Sequence, residues 1–541
     1  MLTCEFIARF LKARGVSRVF GTPGSDTINL IHALKNQGID YTLTHHENTA
    51  AYMAATHGEL TGVPGVVVVT KGPGVTNLAS GIAAAHLDRR PIIVFSAILD
   101  GELLARNPHQ DVPLVAFGEL ISKLSEEVTA ENALDLLPRA YQTAISPRPG
   151  AVYLPISPVQ STTELAADGA VAQAVIDADV APEVGAVPDI SAAAELVAMA
   201  KKPVAVVGVG VVGTGTSRQT VAALEALGIP ACVTLQAVGQ VPNDHPLYIG
   251  MYGWFGTPVD RMLEAADLIL TIGLDGWDII RPFRAKVPIV SLDPVDANDR
   301  TFQPVTAGLT GDLGAMLDAL AVSGLGPREW GEAEAQACYR EIREHELGVS
   351  AEHDEANGIA PQAVYKELRK LVPHDTIITA DAGAHKSLAS QAWEAYGPRS
   401  YFVSNGLSPM GFALGAAMGA KLAEPQRTVI TVVGDGGFLM YAGDLATLAR
   451  LDLPIIQIVM VDNAMTQVKS RQLKQGYSTQ ATDFQVIDYC EVARSLGVEA
   501  ARADTVESFR TAIAGALKSA RPTTIEVILD ASEYRRMPSA V

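Results

Sequence analysis

The chain has 541 residues, and its 60 acidic and 41 basic side chains give a formal net charge of −19 at pH 7. This negative charge argues against nucleic acid and against an anionic membrane surface as partners. Apolar residues make up 48% of the chain and charged residues 19%, which is typical of a compactly folded protein. The length excludes a small disulfide scaffold and predicts about three domains.

The cysteines and the apolar runs indicate the location of the protein. The chain has four cysteines, far apart and without metal-ligand spacing: Cys4, Cys232, Cys338 and Cys490. We interpret them as buried side chains in a reducing compartment. The N-terminal residues have the pattern of an amphipathic helix without a signal-peptide cleavage site, and the apolar runs are much shorter than the about 20 residues that span a bilayer. The sequence therefore predicts a cytoplasmic protein that does not enter a membrane.

Short β-rich runs alternate with helix-length segments along the chain, which is the pattern of parallel α/β sheets. The clearest predicted elements are helices at 48–60 and 441–450 and strands at 41–44, 66–70, 92–96, 204–208, 231–236, 268–273, 429–433 and 455–461. The segments 160–189 and 323–361 break this alternation, because they are rich in Ala, Asp and Pro or in charge. Division at these segments predicts three domains, at 1–165, 186–325 and 355–541.

The strongest chemical signal is Gly434-Asp435-Gly436-Gly437, followed after 25 residues by Asn463. Both segments follow predicted strands, and a right-handed crossover makes those strands parallel. Asp435 and Asn463 then emerge at one carboxyl edge of the sheet, where α/β proteins bind ligands. One carboxylate and one amide oxygen suit Mg²⁺ with a phosphate, and the glycines let backbone N–H groups approach a diphosphate. An ordinary glycine-rich strand-to-helix turn is the alternative.

These residues resemble the diphosphate and metal motif of thiamine diphosphate-dependent enzymes, and the chain is similar to their acetolactate synthase-like branch nearly end to end. Five further motifs, in family order, carry the resemblance: Gly21-Thr22-Pro23-Gly24, His46-Glu47-Asn48, Gly72-Pro73-Gly74-Val75-Thr76-Asn77, Asp381-Ala382-Gly383-Ala384-His385 and Gly406-Leu407-Ser408-Pro409-Met410-Gly411. The resemblance implies an α/β fold of three doubly wound parallel-sheet domains, in the order pyrimidine-binding, central and diphosphate-binding. It also implies a homodimer or homotetramer with the active site at the subunit interface.

The same resemblance implies thiamine diphosphate and Mg²⁺ as cofactors and assigns their contacts. Glu47 matches the glutamate that shares a proton with the aminopyrimidine ring, although stabilisation of the following helix would also explain an acid there. Met410 matches the apolar residue that supports the bent cofactor. The implied ligands of Mg²⁺ are Asp435, Asn463 and the backbone carbonyl of Met465. The other implied cofactor contacts are Pro73, Asn77, Ala382, Gly383, His385, Ser408, Gly434, Gly436, Gly437, Thr466 and Gln467.

A substrate-side loop is indicated by Asn107-Pro108-His109-Gln110-Asp111, which resembles the family's Phe-Gln loop. His109 stands where the family has Phe and would place a titratable donor there. Gln110 matches the family's Gln. We therefore predict His109 and Gln110 as catalytic residues beside Glu47, with a solvated loop as the alternative.

The second predicted domain contains Gly208-Val209-Gly210-Val211-Val212-Gly213, which has the form of a dinucleotide-binding turn. The next predicted strand, 231–236, contains no acid that would bind a ribose, so NAD is not expected. Some relatives keep a non-redox FAD in this domain, but the segment 249–253 only partly resembles their flavin-contacting stretch. FAD therefore stays open as a further cofactor without being favoured.

Two positions depart from the acetohydroxyacid synthases, which hold a second 2-oxo acid with an Arg and a Trp. Ile279 matches the Arg and Gln472 matches the Trp. The carboxylate of a second pyruvate would then lack a cationic partner, unless Arg281 supplies one. We therefore expect aldehyde acceptors or simple protonation to serve better than a second pyruvate.

The function predicted first is a carboligase that acts on pyruvate or another 2-oxo acid. The runner-up is a non-oxidative 2-oxo acid decarboxylase or C–C lyase of the same family. From a different class, a non-catalytic homologue or a flavin-dependent redox protein would share much of the sequence. The presence of Glu47, Asp435 and Asn463 argues against a non-catalytic homologue.

Overall fold

The computed structural model describes residues 1–106, 109–253, 257–278, 281–296, 304–324 and 326–536. Its strands form three six-stranded sheets, and the neighbouring strands of each sheet pair in parallel. The predicted α/β class with three parallel-sheet domains is therefore confirmed, while the domain boundaries stay a prediction. No helix among the described residues is long and apolar enough to cross a membrane.

By its internal contacts the chain divides into two compact units. The first unit comprises residues 1–183, 411–426 and 441–453 and contains the first sheet. The second unit comprises residues 184–410, 427–440 and 454–541 and contains the second and third sheets.

The first sheet has the strand order β2-β1-β3-β4-β6-β5. Its strands are β1 (Arg18–Gly21), β2 (Asp40–Leu43), β3 (Gly65–Val69), β4 (Ile92–Ala97), β5 (Leu124–Ser125) and β6 (Ala151–Ile156). All residues of β3, β4 and β6 are buried, because helices cover both faces of a parallel sheet. The helices are α1 (Thr3–Ala13), α2 (Ile28–Asn36), α3 (Glu47–Thr61), α4 (Pro73–Leu87), α5 (Gly101–Arg106), α6 (Leu114–Glu119), α7 (Ala133–Ile145), α8 (Pro158–Thr162) and α9 (Gly169–Asp177).

The second sheet has the order β12-β11-β10-β7-β8-β9. Its strands are β7 (Pro203–Val207), β8 (Ala231–Val233), β9 (Tyr248–Met251), β10 (Leu268–Ile272), β11 (Ile289–Asp293) and β12 (Ala307–Thr310). The accompanying helices are α10 (Ser191–Met199), α11 (Gly210–Thr214), α12 (Ser217–Leu227), α13 (Pro258–Ala265), α14 (Leu313–Ala321) and α15 (Glu332–Glu341).

The third sheet has the order β14-β13-β15-β16-β18-β17. Its strands are β13 (Ile377–Ala380), β14 (Tyr401–Val403), β15 (Val429–Gly434), β16 (Ile455–Val461), β17 (Glu499–Ala503) and β18 (Thr523–Ile528). The helices are α16 (Pro361–Leu371), α17 (Ala384–Ala392), α18 (Phe412–Ala423), α19 (Asp435–Met440), α20 (Leu445–Arg450), α21 (Thr466–Lys474), α22 (Tyr489–Ser495) and α23 (Val506–Ser519). One hydrophobic core runs through the second and third sheets.

The predicted strands and helices are confirmed with shifts of one or two residues, apart from three segments. The strand predicted at 231–236 ends at Val233, and a 3₁₀ turn follows at Leu235–Ala237. The Gly436-Gly437 turn is instead part of α19, and the helix predicted at 441–450 is a 3₁₀ turn followed by α20. Glycine disfavours a helix by about 1 kcal/mol, but a Cβ at Gly437 would lie 2.3 Å from Asp381 Oδ2. The crowded position therefore excludes a side chain.

The glycines of the turn that follows β7 in the second sheet are required by the neighbouring backbone of the protein itself. A Cβ at Gly208 would lie 2.5 Å from the carbonyl oxygen of Gly273, and one at Gly210 would lie 2.7 Å from its Cα. Asp278 accepts the N–H of Val209 over 3.0 Å, and burial raises the pKa of this carboxyl group to about 7. The glycines of this turn are explained by the close approach of the neighbouring backbone.

Candidate active site

A cavity of about 270 Å³ lies at the carboxyl edge of the third sheet. Its walls are the segments that directly follow β13, β14, β15 and β16, which are neighbouring strands in this sheet. Parallel strands end at the same edge, so these four segments converge. The lining residues are Ala382, Gly383, Ala384, His385, Ser408, Met410, Gly434, Asp435, Gly436, Gly437, Met460, Asp462, Ala464, Met465, Thr466, Gln467, Val468 and Tyr534.

The cavity brings together the predicted cofactor contacts of the third domain, apart from Asn463. That residue lies between two lining residues, Asp462 and Ala464. Its φ of +55° is rarely adopted by a residue other than glycine. Its side-chain Oδ1 is buried and has no hydrogen-bond partner among the described residues. A buried amide oxygen without a partner is costly, so this atom fits a ligand supplied from outside the chain.

Two carboxyl groups lie beside Asn463, that of Asp435, which is buried, and that of Asp462, which is partly buried. Asp435 is 3% exposed; its Oδ1 accepts the N–H of Gly436 over 2.8 Å and its Oδ2 that of Asp462 over 3.3 Å. Burial raises the pKa of Asp435. Burial and, to a lesser extent, the neighbouring charge of Asp435 raise the pKa of Asp462 to about 6. Two neighbouring acids whose charged forms are disfavoured by burial provide a suitable environment for a divalent cation.

The small residues of α19 make room for their neighbours. A Cβ at Gly436 would lie 3.0 Å from the Met410 methyl group and 3.2 Å from the ring of Phe484. A Cβ at Gly434 would lie 3.1 Å from the His385 ring. Met410 and His385 therefore pack directly against the glycine-rich segment that carries Asp435.

His385 is a buried, neutral imidazole in the cavity wall. Burial lowers its pKa to about 4, so the ring is uncharged at pH 7. Its Nε2 has no hydrogen-bond partner among the described residues, and its backbone carbonyl accepts the hydroxyl of Tyr365 over 3.0 Å. The ring can therefore make one hydrogen bond to a bound group.

In the first unit, Glu47 is the first residue of α3 and is 8% exposed. Asn77 Nδ2, on α4, donates to its Oε2 over 3.2 Å. The N-cap of α3 is His46, whose Nδ1 accepts the N–H of Asn48 over 3.1 Å. The local sequence thus fixes the start of the helix and holds one carboxylate oxygen of Glu47.

The start of α3 is held in place by further polar contacts of the first unit. Asn48 Oδ1 accepts the N–H of Gly81 over 2.7 Å, and its Nδ2 donates to the hydroxyl of Tyr441 over 3.2 Å. Asp444 accepts the hydroxyl of Thr49 and the N–H of His45, over 2.5 and 2.8 Å. The backbone next to Glu47 is therefore anchored on both sides.

The structure places the predicted substrate loop at the surface. Both His109 and Gln110 are exposed, and Gln110 has a φ of +60°. A Cβ at Gly72 would lie 2.8 Å from the Cβ of Gln110, so the loop packs on the turn that precedes α4. Pro73, the first residue of α4, is also exposed. Asn107 and Pro108 lie outside the described residues.

Several residues that line the cavity were missed by the sequence analysis. They are Ala384, Met460, Asp462, Ala464, Val468 and Tyr534. The position of Asp462 next to Asn463 and directly after a strand was a usable signal. Tyr534 had none, because it reaches the cavity from a 3₁₀ turn near the C-terminus, far from every motif.

The substitute cation suggested by the sequence, Arg281, is a buried partner of another side chain. Its Nη2 bonds to Oδ1 of Asp260, and both side chains are 4% exposed. Gln472 bonds to the backbone of Gln480 through both ends of its amide, over 3.1 and 3.2 Å. Ile279 lies outside the described residues. Arg281 is thus already neutralised within the second unit.

Three domain models of one protein family match successive parts of the chain. The N-terminal TPP binding domain of the thiamine pyrophosphate enzymes matches residues 1–113, their central domain matches 190–320 and their C-terminal TPP binding domain matches 381–527. Each match contains strands of one of the three sheets.

Individual relatives match over most of their length. The chain is 32% identical to an acetolactate synthase of Bacillus subtilis, over 99% of this chain and 94% of the relative. It is 30% identical to the acetolactate synthase isozyme 2 large subunit of Escherichia coli, over 98% and 96%, and 31% identical to a probable 2-ketoarginine decarboxylase of Pseudomonas aeruginosa, over 87% and 83%. The chain therefore belongs to the thiamine pyrophosphate enzymes, in their acetolactate synthase-like branch.

Proposed function

We propose that the protein is a thiamine diphosphate- and Mg²⁺-dependent carboligase that acts on pyruvate or another 2-oxo acid. The observation that carries the proposal is the buried Oδ1 of Asn463, which has no partner among the described residues. It lies beside the buried carboxyl group of Asp435 and the partly buried one of Asp462. The acetolactate synthases among the relatives support a carboligase.

The residues at the cavity fit a magnesium diphosphate. Asp435, Asn463 and the backbone carbonyl of Met465 would supply three oxygen ligands, and Mg²⁺ completes its octahedron with phosphate and water. The N–H groups at Gly437, Thr466 and Gln467 belong to the first turns of α19 and α21, where a helix favours anions. The N–H of Gly436 already donates to Asp435. The Nε2 of His385 would add a further hydrogen bond.

Glu47 is the proposed proton-handling group of the first unit. Asn77 holds one of its oxygens, and the other oxygen would share a proton with the aminopyrimidine ring. When bound, thiamine diphosphate would supply a nucleophilic carbon and an electron sink for the decarboxylation of a 2-oxo acid. Met410, packed on Gly436, would support the cofactor by apolar contact. Neither His109 nor Gln110 contacts Glu47 among the described hydrogen bonds, and their catalytic roles stay predictions.

The second candidate is a 2-oxo acid decarboxylase or C–C lyase. It is favoured by the similarity to a probable 2-ketoarginine decarboxylase and by the absence of Trp at Gln472. The two activities differ in what replaces carbon dioxide on the donor: a proton in the decarboxylase, and the carbonyl carbon of an acceptor in the carboligase.

We further propose a homodimer or homotetramer with the cofactor held at the subunit interface, and a cytoplasmic location. The exposure of Pro73, Thr76 and Asn77 near the start of α4 supports coverage by another copy. The four cysteines are buried and free of disulfides, which supports a reducing compartment. An active monomer in sedimentation velocity would contradict the oligomer.

A panel of 2-oxo acids tests the proposed function. The enzyme loaded with thiamine diphosphate and Mg²⁺ is incubated with each acid, and carbon dioxide and ligated products are followed by mass spectrometry. The proposal expects a ligated product from at least one acid. Release of carbon dioxide with only the protonated aldehyde would favour the decarboxylase, and no turnover of any acid would contradict both.

A further inference from the structure

A buried ion pair lies at the carboxyl edge of the first sheet. Lys71 follows β3 and Asp26 follows β1, and these strands are neighbours. Lys71 Nζ donates to Asp26 Oδ2 over 2.8 Å, and the hydroxyl of Thr70 lies 3.0 Å from both oxygens of Asp26. The Lys71 and Asp26 side chains are 16% and 8% exposed. The edge thus holds a cation that is largely withdrawn from water.

Lys71 keeps donors to spare. An ammonium group has three N–H donors, and Asp26 is the one acceptor of Lys71 among the described residues. Thr70 already donates to Asp26, so that carboxylate is partly satisfied without the lysine. Two N–H groups of Lys71 are therefore available to a further anion.

The position of Lys71 relates it to the proposed chemistry. It directly precedes Gly72, the N-cap of α4, which has a φ of +55°. The same helix carries Asn77, whose side chain donates to Glu47. Glu47 follows β2, and the sheet order β2-β1-β3 makes the strands before Glu47, Asp26 and Lys71 neighbours. The cation and the proton-handling carboxyl group therefore lie at one sheet edge.

Carboligation between two 2-oxo acids involves two carboxylates, and a cation is useful for that of the acceptor. The C1–C2 bond of the donor breaks and carbon dioxide leaves; its electron pair forms the new bond to the acceptor's carbonyl carbon, and the acceptor oxygen takes a proton. The donor carboxylate loses its charge when carbon dioxide leaves, so a cation bound to it would stabilise the ground state more than the transition state and would slow the reaction. The carboxylate of an acceptor 2-oxo acid stays charged throughout, and burying it unpaired is costly.

We propose that Lys71 is the residue that binds the carboxylate of an acceptor 2-oxo acid, with Asp26 and Thr70 fixing its ammonium group. This inference rests on the proposed carboligase function and deepens it. It replaces Arg281, which pairs with Asp260, and it makes a second 2-oxo acid a competent acceptor despite Gln472.

A competition between acceptors tests this assignment. Pyruvate serves as donor and acid acceptor, and benzaldehyde serves as a neutral acceptor in the same reaction. Mass spectrometry gives the ratio of acetolactate to the hydroxyketone formed from benzaldehyde, with carbon dioxide release as the reference. Lys71→Met should lower this ratio about 10- to 100-fold, since it removes a charge-assisted hydrogen bond. Lys71→Arg keeps the cation and should restore most of the ratio.

The matched control is Lys12→Met, which removes an exposed lysine of the same unit that bonds to the carbonyl of Gly38. Its ratio should equal that of the unmodified protein. If Lys71→Met does not fold, Lys71→Met/Asp26→Asn removes both charges and takes the same test. An unchanged ratio, or an equal fall of both products, would overturn the role of Lys71. An unmodified protein that turns over no 2-oxo acid would instead overturn the proposed function.

Discussion

The acids of the two proposed sites, Asp435 and Asp462 in one and Glu47 in the other, differ in the groups that surround their carboxylates. Asp435 and Asp462 are disfavoured as carboxylates by burial and, for Asp462, by the neighbouring acid. Glu47 receives a hydrogen bond from the neutral amide of Asn77. A cation beside Asp435 and Asp462 would restore their charged forms. Asn77 holds one carboxylate oxygen of Glu47, and the other oxygen is the one proposed to bond to the aminopyrimidine ring.

Glu47→Gln should suppress turnover of 2-oxo acids by about 10²–10⁴-fold, because the amide keeps the shape but does not share the proton. Binding of thiamine diphosphate should stay largely intact. Deuterium exchange at C2 of the cofactor, followed by NMR, should slow in parallel. The control is Glu119→Gln, at the exposed C-terminal end of α6. An exchange rate equal to that of the control would remove Glu47 from the activating role.

Asp435→Ala should abolish formation of the holoenzyme, because it removes the one carboxylate among the proposed Mg²⁺ ligands. Calorimetric titration with thiamine diphosphate in the presence of Mg²⁺ should then detect no tight binding. Asp504→Ala, at an exposed position of the third domain, should bind the cofactor normally. Near-normal affinity in Asp435→Ala would contradict the metal assignment.

At the scale of elements, residues that follow parallel strands are the ones that converge. The pairing of β15 with β16 brings the segments after Gly434 and Val461 to one edge, and this follows from two apolar runs and one crossover. The sequence could therefore place Asp435 and Asn463 together. It could not show that Gly436 and Gly437 lie in a helix, because glycine normally disfavours one. The glycines are needed here because Met410 and Asp381, which follow other strands of the sheet, approach closely.

The beginning of α18 gives an element-scale prediction. Gly411 precedes this helix with a φ of +86°, and a Cβ there would lie 1.7 Å from Cε2 of Tyr441. Gly411→Ala should cost about 1–3 kcal/mol for the backbone conformation and about 1–3 kcal/mol for overpacking. Because Tyr441 accepts a hydrogen bond from Asn48, turnover should also fall.

Thermal denaturation of Gly411→Ala, with activity in parallel, checks this expectation. The matched control is Gly443→Ala, because a Cβ at Gly443 would meet nothing within 4 Å. Equal melting temperatures for the two variants would show that the turn before α18 tolerates a side chain.

At the scale of the whole molecule, the three sheets could be predicted because parallel strands that are buried on both faces consist of continuous apolar runs. The motifs could name residues that now line one cavity, because each motif follows a strand. Contacts between segments that are distant in the sequence could not be predicted in this way. Tyr534 lines the cavity from the C-terminal region, and Arg281 forms an ion pair with Asp260. Lys71 belongs to no motif that the sequence analysis used. Its ion pair with Asp26, which also accepts a hydrogen bond from Thr70, becomes evident only in the structure.

The most direct test of the central claim is the reaction of the purified protein with pyruvate in the presence of thiamine diphosphate and Mg²⁺. Carbon dioxide and acetolactate are measured together, with matched reactions that omit the cofactor or contain EDTA. The departures at Ile279 and Gln472 disfavour a second pyruvate as acceptor, but the proposed role of Lys71 makes it competent. We therefore predict that acetolactate forms with release of one carbon dioxide per product and that both stop when either cofactor or metal is withheld. Ligated product formed at an equal rate without thiamine diphosphate and Mg²⁺, or no ligated product in their presence from pyruvate or from any other acid of the panel, would contradict the claim.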